Sequence, residues 1–105
     1  MFAIAWNNGS HSKSGVGYGL KIDVKDRDKY FQRDWKEIVL KLQGHPSPVL
    51  VSIDQETFWG KRCRELHSQE VGAWLIKNDM APWSASNPPL VRLEPISENK
   101  FSVNL

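Results

Sequence analysis

The sequence predicts an α+β domain with a mostly antiparallel six-stranded sheet, in the order β-β-α-β-β-α-β-β. Two or three helices cover the sheet, which curls towards a half-open barrel. Three observations predict this. Short stretches alternate apolar and polar residues with the period of a strand, two windows carry helical spacing instead, and clusters of Gly, Pro, Asn and Ser separate them. One stretch, 58–83, organises the rest. It holds three of the five tryptophans, the only cysteine and the densest basic cluster.

The first strand comes from Phe2, Ile4 and Trp6, which alternate with alanines and are expected to face the core. Asn7 to Ser14 is a polar loop. Gly15, Gly17 and Gly19 lead into a second strand with Tyr18, Leu20, Ile22 and Val24 on one face. The two strands are placed to pair across the loop. Asp26 to Trp35 reads as a short helix with Tyr30, Phe31 and Trp35 on one side. Glu37 to Leu42 and Val49 to Ile53 form a hairpin, because Gly44, Pro46 and Pro48 supply the turn.

In the central stretch, Val71, Trp74 and Leu75 share a helix face. Ser68 is the expected N-cap, Glu70 and Lys77 suit the dipole, and Pro82 stops continuation. Gly72 costs helix propensity but admits another backbone at close range. Lys61 to Leu66 is expected to add a preceding helical turn or two, with a kink or break at His67-Ser68. Leu90 to Glu94 is a fifth strand, with Pro95 ending it or placing it at an edge. Phe101, Val103 and Leu105 face inward from a sixth. The length, 105 residues, suits one domain spanning 1–105.

One cysteine excludes an internal disulfide, and no stretch approaches the length of a membrane helix, so a cytoplasmic protein is expected. The net charge of +2 is uneven. Residues 11–41 carry +3 and residues 61–64 another +3. If these two segments meet, they make a surface for a polyanion.

That expectation defines a candidate nucleic-acid site. Its glycine loop supplies His11, Lys13, Ser14, Gly15 and Gly17, where successive glycine amides could nest a phosphate. Lys21 follows on the second strand. The first helix adds Lys25, Arg27, Lys29 and Arg33, and the second segment adds Lys61, Arg62 and Arg64. DNA is favoured over RNA as the partner. Trp59 and Trp83 flank the central helix as possible interaction residues, Trp59 beside basic side chains that suit base stacking. The alternative is a protein-interaction or accessory module, possibly a homodimer, using an exposed Trp and the proline-rich loop. Cys63 and His67 are four apart, but no second such pair completes a metal site. Cys63 lies on the apolar stripe and reads as inert. No carboxylate pair is spaced for acid–base work, so neither catalysis nor a cofactor is expected.

The pattern of paired strands with two covering helices is loosely similar to the pseudobarrel DNA-binding domains of some restriction enzymes and plant transcription factors. No residue motif is shared, so the resemblance implies a fold and carries over no site residues.

Overall fold

The computed structural model describes residues 1–9, 12–60, 64–84 and 86–105. Seven strands and three helices follow in the order β1 (Phe2–Asn7), β2 (Tyr18–Ile22), α1 (Val24–Tyr30), β3 (Glu37–Leu42), β4 (Val49–Ser52), α2 (Glu56–Trp59), β5 (Glu65–His67), α3 (Gln69–Lys77), β6 (Leu90–Ser97) and β7 (Lys100–Asn104). They form one mixed sheet in the order β4-β3-β7-β6-β1-β2-β5, nearly closed into a barrel as β4 and β5 approach each other.

The expected hairpins are present. β1 pairs antiparallel with β2, with Ala5 opposite Leu20, and β3 pairs antiparallel with β4, with Ile38 opposite Val51. The sheet has seven strands rather than six, and it is mixed. β7 lies parallel to β3, with Leu40 opposite Phe101, while its other edge pairs antiparallel with β6. The added strand is β5, which replaces the helical turns expected before Leu66. Its outer residues lie opposite Lys21 and Gly19 of β2. Lys61 to Cys63, where that helical reading began, lie outside the described residues. Pro95 does not end β6 but sits at a register shift against β7, where a missing N–H is tolerated.

The first strand carries its faces the other way round. Ala3 and Ala5 are buried, while Phe2 and Ile4 are 58% and 43% exposed. Alternation defines two faces but not which one points inward. Here the interior beside β1 is filled by Leu20 and Ile22 of β2 and Val91 and Leu93 of β6, leaving room for alanine alone.

The barrel is plugged at both ends. At one, α3 lays Val71, Trp74 and Leu75 onto the core, and the Trp74 indole N–H donates to Gln43 O at 2.8 Å. Ser68 caps this helix, its hydroxyl accepting from Val71 N at 3.2 Å, so the expected break falls there. At the other end, Phe31 stacks on Phe101 with ring centroids 4.7 Å apart, Trp35 packs edge-on to both, and Phe58 lies tilted against Phe31. The first helix is shorter than expected and stops at Tyr30, with Phe31 already extended. Among the described residues no helix is long and apolar enough to cross a membrane.

Candidate nucleic-acid interface

β2 runs from α3 to α1, and this decides where the basic residues go. Ser68 N donates to Tyr18 O, which puts the start of α3 at one end of the strand. α1 begins two residues past the other end. The five residues of β2 span about 13 Å. The loop bearing Lys13 therefore lies at the α3 end of the barrel, and the cations of α1 at the opposite end.

The glycine loop is braced by its own hydrogen bonds and packs against α3 through Gly15. Ser12 Oγ accepts from Ser14 N, Ser14 Oγ accepts from Val16 N at 3.4 Å, and Gly15 N donates to Ser12 O at 3.4 Å. The Ser14, Gly15 and Val16 amides are thus engaged within the loop. Gly15, with φ +91°, is buried against α3, and a Cβ there would lie 2.5 Å from Ala73 N. Gly17 is tight against the Asn8 side chain, and Gly19 against Leu66 O. Gly15, Gly17 and Gly19 thus all serve close packing, while Ser14 stays exposed on the loop. Lys13 remains exposed on this loop, and His11 lies outside the described residues.

Two arginines of the predicted site are engaged elsewhere. Arg27 is 6% exposed, because it shares a helix face with Phe31 four residues on. One guanidinium nitrogen donates to Phe58 O at 3.0 Å and to Gly60 O, and the group also pairs with Asp28. It straps α1 to the connection that follows α2 and is not available to a phosphate. Arg33 makes a two-pronged contact with Glu56, both oxygens at 3.1 Å. Lys25 and Lys29 are exposed, Lys29 lying over the Tyr30 ring.

The tryptophans divide similarly. Trp59 donates its indole N–H to Ile53 O at 2.8 Å, and the guanidinium groups of Arg27 and Arg33 lie 5.5 and 5.4 Å from its ring. Its ring thus has cationic neighbours from the protein itself. Trp83 is half-buried edge-on to Tyr18 and lines a shallow pocket of about 540 Å³ with Met80, Pro82, Pro88 and Pro89.

Among the described residues, Arg64 ties the second basic segment to the strand that carries Lys21. Arg64 donates its Nε to Ile22 O at 2.8 Å, and Ile22 N donates to Arg64 O. Arg64 and Lys21 consequently line one groove, with Phe2, Ile4, Ile22 and Asp23. Lys61 and Arg62 lie outside the described residues.

The groove belongs to a surface that the sequence reading missed, the outer face of β6-β1-β2-β5. Its registers run Leu90–Ile4–Lys21–Glu65 across the four strands, with Arg92 opposite Phe2 on one side and Trp6–Gly19–His67 on the other. Gly19 has no side chain, so the Trp6 and His67 rings meet across it, centroids 4.7 Å apart and nearly perpendicular. Arg92 lies over the Phe2 ring at 5.7 Å. The available signal was bulk: alternating alanines beside neighbouring strands rich in Leu, Ile and Val mark the alanine face as the inner one. Among the described residues no group of His, Cys, Asp or Glu is placed to hold a metal ion. No family model, curated protein or solved structure matches this chain.

Proposed function

We propose that the protein is a small nucleic-acid-binding domain of the cytoplasm, with DNA as the favoured partner, and that it binds along the outer surface of β1, β2 and β5. The observation that carries this reading is the convergence of Lys21 and Arg64, drawn from separate basic segments, on one groove. Lys13 stands beyond the α3 end of β2, and Lys25 and Lys29 beyond its α1 end. Cations therefore bracket the surface along the strand, as a polyanion lying on it requires. Lys61 and Arg62 precede Arg64 in the sequence, with Cys63 between, and add to the positive charge of this segment. Arg27 is left out of the interface, because its guanidinium group is buried and serves the fold. Arg33, exposed beside Glu56, keeps its place at the α1 end.

Phosphate neutralisation releases counterions, so affinity should fall linearly on a log–log plot against salt. The test is fluorescence anisotropy with labelled DNA and RNA between low and moderate salt. Lys21→Ala should weaken binding and reduce the salt slope by about 1. Lys77→Ala, on the exposed last turn of α3, should do neither. Absence of binding to any oligonucleotide at low salt refutes the reading.

A protein-interaction module, alone or as a homodimer, is the second reading. The Trp83 pocket with its three prolines favours it. A partner captured by the wild type and lost on Trp83→Ala, but retained on Lys21→Ala, would support this alternative.

A further inference from the structure

The outer sheet face combines side chains that phosphate binding alone does not explain. Phe2, Ile4 and Leu90 are 58%, 43% and 58% exposed. They are contiguous: Ile4 pairs with Leu90 across β1 and β6, and Phe2 precedes Ile4 on the same face of β1. Trp6 extends the row, every second residue at about 6.6 Å spacing. An exposed apolar strip of this kind marks an interaction surface.

The width of the face selects among nucleic-acid forms. Four strands measure about 19 Å across, whereas the major groove of a duplex is about 12 Å wide. The strip cannot reach base edges inside a groove, and set against a phosphate backbone it would desolvate charge on hydrocarbon. An unpaired strand removes that conflict. Its bases present apolar faces that stack on aromatic rings, and its phosphates can turn outward to cations at the rim.

The rim has those cations. Lys21 and Arg64 stand on one side of the Phe2–Ile4 strip and Arg92 on the other. The facing carboxylates are Asp23, which lines the groove near α1, Glu94, 3.9 Å from Arg92, and Glu65, which is only 8% exposed. Among the described residues three cations thus face two exposed acids, with the His67 ring beside them.

We propose that this face binds unpaired nucleic acid, stacking bases on Phe2 and on the Trp6–His67 pair while Lys21, Arg64 and Arg92 meet the backbone. This rests on the nucleic-acid reading above and specifies its ligand as single-stranded.

The experiment compares a labelled single strand of about 12 nucleotides, long enough to cross the face, with its duplex, using wild type and Phe2→Ser. Ile4→Ser serves as a second variant, and circular dichroism checks that each is folded. The expected result is at least tenfold preference for the single strand. Phe2→Ser should lower that affinity about tenfold, as loss of one stacking ring does, with the salt slope unchanged. Equal binding of both forms, indifferent to Phe2→Ser, overturns the stacking proposal but leaves the cationic reading standing. No binding of either form overturns both. Light scattering that shows a dimer dissolved by Phe2→Ser, with oligonucleotide binding unaltered, assigns the face to a second copy and also overturns the proposal.

Discussion

Replacing Gly72 with alanine sets two effects of opposite sign against each other. Alanine is the better helix former by about 1 kcal/mol, so propensity alone predicts a stabilised α3. The packing predicts the reverse. A Cβ at position 72 would lie 2.8 Å from both C and Cα of Gly15, and closer still to the Gly15 carbonyl oxygen. All three are backbone atoms, so no rotamer change relieves the contact. The partner cannot retreat cheaply, because Gly15 is itself held at φ +91° with its own Cβ position against Ala73 N. Restoring ordinary separation means moving the loop or α3 by the better part of an ångström. α3 also carries Val71, Trp74 and Leu75 in the core, so its displacement loosens that end of the barrel. Overpacking of this severity costs about 3 kcal/mol, from which the propensity gain is to be subtracted. A net loss of about 2 kcal/mol is expected, lowering the midpoint of thermal unfolding by roughly 8–14 °C for a domain of this size. Urea and thermal unfolding followed by far-ultraviolet circular dichroism measure it. A Gly72→Ala variant as stable as the wild type, or more so, would refute the close approach of the two backbones.

Arg27→Met should destabilise by about 3 kcal/mol in chemical denaturation, since it leaves the Phe58 and Gly60 carbonyls without their donor. Arg33→Ala, which breaks an exposed pair with Glu56, should change stability by less than about 1 kcal/mol. Ser68→Ala should cost about 1 kcal/mol through loss of the hydroxyl that accepts from Val71 N. Burial raises the Tyr18 phenol above its usual value of 10.0. The folded state then holds this proton more tightly than the unfolded state. The Tyr18 contribution is therefore complete below pH 10 and drains away as pH rises beyond it. Tyr18→Phe should flatten that alkaline decline in a pH series of unfolding midpoints.

Local chemistry made much of this fold legible. Ser68 announced a helix start because a cap is a bond between near neighbours. Gly72 announced a close approach because a helix gives up stability for glycine only where something else needs the space. The β1–β2 and β3–β4 pairs were legible because their strands lie close in sequence. What failed was non-local. Glu65 to His67 has too few residues to display a period, and it became a strand only because β2 offered a free edge. The inward face of β1 was set by the volumes of Leu20, Ile22, Val91 and Leu93, which no local pattern contains. Arg27 sat in a run of alternating charges typical of a solvated helix, yet it shares the face of Phe31 and was drawn inward with it. The candidate site divided along the same line. Individual cations could be named, but whether Lys21 would meet Arg64, or Arg33 would be held by Glu56, depended on elements far apart in the chain.

The position of β7 between β3 and β6 also constrains how the molecule comes together. Until Lys100–Asn104 slots in, the remaining strands form two separate ribbons, β4-β3 and β6-β1-β2-β5, with no hydrogen-bonded strand pair between them. The parallel contact with β3 closes a loop of about 60 residues, a slow step by its loop entropy. During synthesis the β1–β2 and β3–β4 hairpins can zip locally, but β6 must reach back from Leu90 to Ile4, and the barrel is completed only after Lys100–Asn104 emerges from the ribosome. Nascent chains stalled before Lys100 should accordingly expose the β3 and β6 edges together, and be held by chaperones that grip unpaired strands.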